Sequence, residues 1–350
     1  MKQRHGGDIY HHPKAMDFST NVNPYGPPKG VMDEIKKSVW KINTYPDPDC
    51  RDLRKALEEK LGVPGNQIIL GNGSADLMFA LCQAVKPEKA LIPLPSFLEY
   101  QRALLAVDCK VMTYKTRKEE GFSLRKDFVD AIGEDMDIVF LCNPNNPTGN
   151  VIEHNLLIDI LKKCQETDTY LVVDECFNEF ISGARKHTLL PLVEKNEKLL
   201  IIKAFTKLYG IPGIRLGYII TGDEALPGKI KKVTQPWGIS VLAQAAGLAA
   251  LKGDAFVAES LSNIEKEKRR MIIAMSKAGY LIYESAANFI FFEGEEDLAE
   301  ICLNRGILIR DCSSFAGLSE GYFRVCVRTR WENEKLLKVL AEAKQKTKES

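Results

Sequence analysis

The amino-acid sequence predicts an α/β protein with a large domain on a mostly parallel sheet and a smaller α+β domain at the C-terminal end. Two observations support this fold class. Short apolar runs alternate with longer amphipathic stretches through the middle of the chain, as expected for parallel strands with helices on both faces of the sheet. The 350 residues are also enough for about two domains of ordinary size.

Seven apolar runs in the middle of the chain have the length of buried strands. They cover residues 67–70, 90–93, 110–114, 138–141, 170–173, 199–202 and 216–221. Helical patterns at 77–85, 153–165 and 228–234 lie between several of these runs. Residues 46–245 are therefore predicted to form the large domain around a seven-stranded sheet.

The pattern of the chain changes near Gln244. A long helical pattern at 255–278 precedes three strand patterns, of which the first (288–292) is expected to pair with the other two (307–309 and 322–327). A final helix is expected from Glu332. Residues 246–350 are thus predicted to form the small domain, and the loop-rich segment 1–45 is predicted to pack against it as an arm.

Composition limits the kinds of partner that the protein can have. Lys and Arg total 48 against 47 Asp and Glu, so the surface has no general affinity for nucleic acid or anionic membrane. The nine cysteines are scattered without a CxxC pair, which favours reduced thiols and no metal site. The apolar runs are too short to cross a bilayer. We expect a cytoplasmic protein that binds neither nucleic acid nor membrane.

The first chemical motif is Lys203-Ala204-Phe205-Thr206-Lys207, which follows the strand pattern 199–202 directly, with Arg215 eight residues after Lys207. A partly buried lysine beside other cations can lose its proton and form a Schiff base. The guanidinium of an arginine can bind two oxygens of a phosphate. Taken alone, the pair could equally be an ordinary surface lysine and arginine.

The second motif is Gly71-Asn72-Gly73-Ser74-Ala75-Asp76, between a strand pattern and a helical pattern. Backbone N–H groups at the start of a helix form a phosphate site. A dinucleotide-binding fingerprint would need a third glycine where Asp76 stands. A plain turn is the simpler alternative.

Two further polar positions follow strand patterns. In Asn143-Pro144-Asn145-Asn146-Pro147-Thr148-Gly149, the prolines favour a rigid turn, and Asn146 would lie at the carboxyl edge of the sheet, where ligands bind. Asp174 ends the pattern 170–173. A carboxylate buried there needs a cationic or N–H partner, which the ring nitrogen of pyridoxal 5′-phosphate (PLP) would supply. A helix N-cap is the alternative role for Asp174.

Together, and in this order, the four motifs resemble those of the fold-type I, aspartate-aminotransferase-like PLP enzymes, over nearly the whole chain. The resemblance implies the PLP-dependent transferase fold, PLP linked to Lys207 and a homodimer with active sites at the subunit interface. Phe97 would stack on the PLP ring, and Tyr45 would reach the cofactor phosphate of the other subunit. The implied cofactor-binding residues are Ser74, Ala75, Phe97, Asn146, Asp174, Thr206, Lys207, Arg215 and Tyr45, with Lys207 and Asp174 catalytic.

Two branches of this family fit the sequence. Histidinol-phosphate aminotransferases share the overall pattern, while the threonine-phosphate decarboxylases of cobalamin biosynthesis resemble it more closely, through the His5-Gly6-Gly7 start and Gln235-Pro236-Trp237. Aminotransferases usually have a tyrosine where this chain has Phe177. The residues implied to hold the phosphate and carboxylate of the substrate are His5, Gly6, Asn21, Asn146, Arg310 and Arg324. Asp8, an acidic residue near that phosphate, would be unfavourable.

The resemblance predicts decarboxylation of L-threonine O-3-phosphate to (R)-1-aminopropan-2-yl phosphate. The alternative is transamination of histidinol phosphate with 2-oxoglutarate. Two other classes of protein fit less well. A nicotinamide-dependent dehydrogenase needs the complete glycine fingerprint, and a PLP-fold regulatory sensor usually needs an appended basic DNA-binding module.

Overall fold

The computed structural model describes residues 5–349, although not the side chains of residues 185 and 346–349. The strands are β1 (Met16–Asp17), β2 (Ile68–Gly71), β3 (Lys89–Leu94), β4 (Lys110–Lys115), β5 (Ile138–Cys142), β6 (Tyr170–Asp174), β7 (Leu199–Ala204), β8 (Gly217–Thr221), β9 (Leu281–Ile282), β10 (Phe289–Glu293), β11 (Ile307–Leu308), β12 (Arg310–Asp311) and β13 (Tyr322–Cys326). The α-helices are α1 (Lys29–Ser38), α2 (Arg51–Leu61), α3 (Ser74–Val85), α4 (Leu98–Leu105), α5 (His154–Glu166), α6 (Phe205–Leu208), α7 (Leu226–Val233), α8 (Val241–Leu251), α9 (Asp254–Ala278), α10 (Leu298–Asn304) and α11 (Arg330–Glu349). Short 3-10 helices cover Val39–Asn43, Gly65–Gln67, Lys118–Glu120, Lys126–Ala131, Asn178–Phe180, Ala184–Lys186, Leu190–Lys195 and Pro212–Ile214.

The large sheet has seven strands in the order β2-β8-β7-β6-β5-β3-β4. Neighbours from β7 to β4 pair in parallel, and β8 runs antiparallel to β7 and β2. The central strands β5 and β6 are buried along their whole length, as expected when helices cover both faces of a parallel sheet. The predicted α/β class with a mostly parallel seven-stranded sheet is confirmed.

The strands of this sheet begin and end close to the predicted positions, but helix α3 begins earlier than the apolar pattern indicates. Its first turn is Ser74, Ala75 and Asp76. Because these residues carry no apolar repeat, periodicity could not detect them. An acidic residue such as Asp76 is favourable in a first turn, where the helix dipole is positive.

The small sheet differs from the prediction in its pairing. Its order is β12-β13-β10-β9, with antiparallel neighbours. The expected pairing of 288–292 with 307–309 is wrong, because β11 pairs in parallel with β1 at the N-terminal end of the chain. Both residues of β11 are buried, so the alternation that normally fixes register is missing.

The N-terminal segment contains more regular structure than its loop-rich sequence indicates. Strand β1 joins β11, and helix α1 packs against α8. Two lysines in the last turn of α1, Lys36 and Lys37, are favourable beside the negative end of the helix dipole. The segment therefore contacts β11, within the predicted small domain, and also α8, which crosses the predicted domain limit. The domain limits near residues 45 and 245 stay predictions.

Among residues 5–349, no single helix has both the length and the apolar composition needed to cross a membrane; helices α8 and α9, bent by 75° at their junction, meet these criteria only as a pair. All nine cysteines are buried and free. Over the same described residues, no group of three or more His, Cys, Asp or Glu side chains has an arrangement that could hold a metal ion.

Candidate active site

A cavity of about 240 Å³ lies where the carboxyl ends of β5, β6 and β7 meet the N-terminal segment and the small sheet. This edge of an open parallel sheet is where such folds bind ligands. The residues predicted from the sequence that line it are His5, Gly6, Asn21, Ser74, Phe97, Asn146, Asp174, Lys207, Arg310 and Arg324. Segments far apart in the chain thus converge on one site.

Lys207 belongs to the short helix α6, directly after β7. Its Nζ atom lies 5.8 Å from the centre of the Phe177 ring. Burial lowers the pKa of Lys207, and the positive charge of Arg324 lowers it further. The amine is therefore more readily deprotonated than an ordinary lysine, which a nucleophilic lysine requires.

Asp174 is the last residue of β6 and is buried at the cavity wall. Its Oδ1 accepts a hydrogen bond from the backbone N–H of Cys176 at 3.0 Å, and its Oδ2 accepts one from the Tyr100 hydroxyl at 2.7 Å. Burial raises the pKa of Asp174, and these two hydrogen bonds act in the opposite direction. A carboxylate has further lone pairs, so it can still accept a donor from a ligand.

The glycine-rich loop between β2 and α3 forms an open cradle. Gly73 has φ of +99°, and a Cβ atom added there would lie only 2.5 Å from Nη2 of Arg215. The first N–H groups of α3 have no partner within the helix. Ser74 lines the cavity, Ala75 follows in the same turn, and Thr206 is buried next to Lys207. The exposed Arg215 guanidinium and the helix start together suit a phosphate group.

Arg310 and Arg324 face each other across the antiparallel pair β12–β13, so their side chains lie on the same face. Both are buried, with 3% and 6% of their surface exposed. Arg324 donates to Asn146 Oδ1 and, at 2.8 Å, to the carbonyl oxygen of Ser19. Burial lowers the pKa of Arg324 to about 10. Two buried cations so close together repel each other, and an anionic ligand in the cavity would be attracted to both.

The N-terminal segment closes one side of the cavity. His5 Nε2 lies 3.1 Å from Glu99 Oε1, and the backbone N–H of Gly7 donates to Ser19 Oγ at 2.7 Å. Asp8, which we expected to oppose a phosphate, has its Oδ1 atom 2.5 Å from His11 Nδ1. The pKa of the Asp8 carboxyl is lowered by that contact, and Asp8 is absent from the residues that line the cavity.

Tyr45 is exposed, with 79% of its surface accessible. Its ring lies 4.7 Å from that of Trp237, outside the lining of the cavity. Within one chain, therefore, Tyr45 does not join the site.

Sequence reasoning did not identify several residues that line or support the cavity. Leu98, Cys142, Cys176, Ser19, Thr20 and Phe315 line it, and Tyr100 lies behind it against Asp174. Some signal was available for Ser19 and Thr20. Both follow Asp17, whose carboxylate accepts hydrogen bonds from their hydroxyls, an arrangement that short Asp-x-Ser segments often adopt.

Two kinds of observation fit PLP to this site. The cradle at Gly73 and Arg215 is shaped for a phosphate. Within the described part of the chain, buried polar atoms without a protein partner include Asn21 Oδ1 and Arg324 Nε, and both residues line the cavity. Because such atoms are costly to bury unpaired, they indicate a polar ligand.

Comparison with known proteins decides the family. The model of the family described as "Aminotransferase class I and II" matches residues 13–340. The chain belongs to the class I and II aminotransferase family. This family uses PLP, and the residues above fit it, so PLP is the cofactor of this chain and the protein is a PLP-dependent enzyme.

Individual members of the class I and II aminotransferase family resemble the chain over most of its length. The threonine-phosphate decarboxylase of Salmonella typhimurium is 34% identical over 331 residues, 93% of this chain and 90% of that protein. The histidinol-phosphate aminotransferase of Methanothermobacter thermautotrophicus is 32% identical, covering 94% and 89%. The crystal structure of the histidinol-phosphate aminotransferase from Clostridium acetobutylicum matches with a TM-score of 0.88 and 31% identity, covering 94% of this chain and 99% of that one.

Proposed function

We propose that the protein decarboxylates L-threonine O-3-phosphate to (R)-1-aminopropan-2-yl phosphate and CO₂, a step of cobalamin biosynthesis. The observation that carries the proposal is the pair of buried arginines, Arg310 and Arg324, that face each other over the cavity. A substrate with both a phosphate and a carboxylate offsets both charges at once. Histidinol phosphate has a phosphate but no carboxylate, so it offers these two cations one anionic group instead of two.

Phe177 supports decarboxylation over transamination. The ring packs edge to face on Phe289, with 5.4 Å between centroids, and lies beside Lys207. It offers no hydroxyl to the phenolic oxygen of the cofactor, whereas aminotransferases of this family usually have a tyrosine here. Similarity to a named threonine-phosphate decarboxylase over about nine tenths of both chains supports the same reaction.

The cofactor-binding residues have distinct proposed roles. Ser74, Ala75, Thr206 and Arg215 bind the phosphate of PLP, and Phe97 covers its ring. The Asp174 carboxylate accepts a hydrogen bond from the protonated ring nitrogen of PLP. Lys207 is the covalent anchor in the resting enzyme.

The substrate-binding residues come from the N-terminal segment and the small sheet. Arg310 and Arg324 hold the phosphate and the carboxylate, and Asn146 keeps the Arg324 guanidinium in position through their hydrogen bond. His5, Gly6 and Asn21 close the site from the other side. In this arrangement, the N-terminal segment restricts the access of water to the reacting carbon.

Bound PLP supplies an acceptor for the electron pair released at the substrate α-carbon. The bond from this carbon to the carboxylate breaks, CO₂ leaves, and one proton replaces it. Lys207 would hold the cofactor in the resting enzyme, and its amine, which lines the cavity, would be positioned to donate that proton. Transamination would instead require Lys207 to remove the hydrogen of the same carbon.

The protein is further proposed to act as a cytoplasmic homodimer whose subunits share their active sites, with no nucleic-acid or membrane partner. The exposed Tyr45 supports this proposal. The large apolar side chains Trp40, Ile42 and Tyr45 lie within a few residues of each other, with 69%, 67% and 79% of their surface exposed. Exposed apolar clusters of this kind mark interfaces.

The decisive assay supplies O-phospho-L-threonine to the purified PLP-loaded enzyme without any keto acid. Continuous CO₂ release, with one amine phosphate formed per CO₂, is the expected result. Turnover only of histidinol phosphate with 2-oxoglutarate would make the protein an aminotransferase and refute the proposal. Unphosphorylated L-threonine serves as the substrate control, and Lys207→Ala as the enzyme control, which should lack both turnover and the visible absorption band of bound PLP.

A further inference from the structure

Tyr100 has no assigned role in the function proposed above, yet its hydroxyl contacts Asp174, the residue proposed to bind the ring nitrogen of the cofactor. It lies in the first turn of α4 and is fully buried. The hydroxyl donates to Asp174 Oδ2 at 2.7 Å, across 74 residues of sequence. Packing alone would be satisfied by the aromatic ring. The hydroxyl adds a hydrogen bond to the carboxylate of the proposed catalytic residue.

The two oxygens of Asp174 differ in how they are held. Oδ1 accepts the backbone N–H of Cys176, two residues away on the same turn, so that contact moves with Asp174 itself. Oδ2 accepts the Tyr100 hydroxyl from a different helix. Tyr100 therefore fixes the rotation of the carboxylate relative to the rest of the site, because two donors from independent segments define its plane.

The ring of Tyr100 is fixed in turn by aromatic neighbours on two sides. It stacks on Phe140 of β5, with centroids 5.2 Å apart and an angle of 17°. The Phe97 ring packs against it edge to face at 5.6 Å and 81°. Phe97 also lines the cavity. The Tyr100 side chain therefore contacts both the aromatic ring and the carboxylate that are proposed to hold the cofactor.

The hydroxyl also affects the charge of the carboxylate. A buried carboxyl group tends to become neutral, and a hydrogen bond donated to its charged form opposes this tendency. Burial raises the pKa of Tyr100 well above its ordinary value, so the hydroxyl keeps its proton and can donate at neutral pH. Removing the donor would favour neutral Asp174, which could not hold a proton on a ring nitrogen.

We propose that Tyr100 is a positioning residue for PLP: its hydroxyl keeps the Asp174 carboxylate ionised and oriented toward the ring nitrogen of the cofactor. The proposal rests on the role proposed for Asp174 but not on the choice between decarboxylation and transamination. It therefore stands or falls independently of the substrate.

The test measures PLP binding by the Tyr100→Phe variant, which lacks only the hydroxyl. Titration of the apo-protein with PLP, followed by the visible band, should give a dissociation constant about tenfold or more above that of the unchanged protein, the usual effect of losing a hydrogen bond to a charged group. In the holoenzyme, kcat should fall while KM for the amino acid changes by less than about twofold, because the substrate does not contact Tyr100. Tyr280→Phe is the matched control, since that buried hydroxyl donates to the Leu340 carbonyl oxygen at 2.9 Å, away from the cavity.

Combination with Asp174→Asn separates the possible outcomes. Once the carboxylate is gone, adding Tyr100→Phe should weaken PLP binding by less than about twofold, the non-additivity expected of residues that act together. If Tyr100→Phe alone does not fold, the double variant still tests the proposal, because Asp174→Asn removes the buried charge that would otherwise be left without its Tyr100 donor. Unchanged PLP binding and spectrum in Tyr100→Phe, or fully additive effects, would overturn the proposal. Unchanged binding in Asp174→Asn would instead refute the role of Asp174.

Discussion

At the scale of single residues, the site depends on charges that the protein buries close together. In the proposed function, Lys207 has to be neutral to attack the cofactor, while Arg324 has to be charged to bind an anion. Both sit at one cavity, and burial together with Arg324 lowers the pKa of Lys207. One arginine can therefore serve two purposes, as an anion ligand and as the charge that helps to deprotonate the lysine.

This coupling predicts the pH dependence of cofactor capture. The neutral amine of Lys207 reacts with PLP, so the capture rate of the apo-protein should rise as pH passes through the pKa of Lys207, at lower pH than for an ordinary lysine. Arg324→Gln removes a neighbouring positive charge, which raises that pKa and moves the rate profile to higher pH. Capture at neutral pH should slow several-fold, as measured by stopped-flow absorbance.

Arg330→Gln is the matched control for this experiment. Arg330 is exposed and paired with Glu334, so its loss should leave the profile unchanged. An identical midpoint in Arg324→Gln and the unchanged protein would mean that the charge of Arg324 does not lower the pKa of Lys207.

Individual residues differ in how well the sequence could identify them. Lys207, Asp174 and Asn146 could be predicted because each follows an apolar strand pattern, and the carboxyl ends of parallel strands meet at one edge. Tyr100 could not be identified in this way. A tyrosine in an amphipathic helix has the same pattern whether it fills the core or donates to a carboxylate, and only the fold brings it to Asp174.

At the scale of elements, the phosphate cradle is held by a strand that passes behind it. Gly217, the first residue of β8, pairs with Gly71. A Cβ atom on Gly217 would lie 2.7 Å from the backbone nitrogen of Ser74 and 2.9 Å from the carbonyl carbon of Gly73. The loop that would bind the cofactor phosphate therefore rests directly on this glycine.

We predict that Gly217→Ala weakens PLP binding by about tenfold or more, because the added methyl group displaces the cradle from its hydrogen-bonding position. Equilibrium titration of the apo-protein measures the effect. Gly228→Ala in α7 is the control, since a Cβ atom there meets nothing within 4 Å. Equal affinities for the two variants would show that the loop tolerates the shift, contrary to this account of the cradle.

The N-terminal segment is a second element that packs so closely that a single added methyl group should displace it. A Cβ atom on Gly6 would lie 2.4 Å from the Ser19 carbonyl oxygen, the same atom that accepts Arg324 Nη2. Gly6→Ala should therefore displace the segment and raise KM for the phosphorylated amino acid about tenfold, the cost of one lost charge-assisted contact. Thermal stability should change little.

Gly30→Ala, in helix α1 with no neighbour within 4 Å of the new Cβ atom, is the control for the N-terminal variant. A normal KM in Gly6→Ala, measured by CO₂ release, would mean that the segment does not contribute to substrate binding. Apparent PLP affinity should stay unchanged in both variants, since neither glycine contacts the cradle.

Element prediction succeeded in the large sheet and failed where strands are very short. The runs that became β5 and β6 are long, apolar and fully buried, so composition and length sufficed. Strand β11 has two buried residues and pairs with β1. The two strands lie near opposite ends of the sequence. No local pattern identifies a partner at that distance, because two residues cannot define an alternating face.

At the scale of the whole molecule, the site is assembled from the two ends and the middle of the chain. Ser19 and Asn21 come from the N-terminal segment, and Arg324 comes from the small sheet. Asp174 ends β6 of the large sheet, and Lys207 lies in α6, directly after β7. Both ends of the chain must therefore fold onto the large sheet before all of these groups meet. Motif order in the sequence could indicate the chemistry, but not the contacts between regions.

One predicted residue, Tyr45, is exposed and lies outside the cavity of its own chain. In the proposed homodimer it would complete the active site of the other subunit. A mixture of two inactive variants tests this. Lys207→Ala removes the anchor, and Tyr45→Ala weakens the neighbouring site, so each homodimer should have little activity.

In a heterodimer of the two variants, one active site keeps its own Lys207 and receives Tyr45 from the other subunit. Random exchange of equal amounts of the two subunits would make about half of the dimers mixed, and each mixed dimer has one of its two sites intact. Activity should therefore recover to about a quarter of that of the unchanged enzyme. The measurement is CO₂ release after the two proteins are unfolded and refolded together. Activity no higher than the sum of the separate variants, with dimers verified by sedimentation, would show that each subunit has a complete site without its partner.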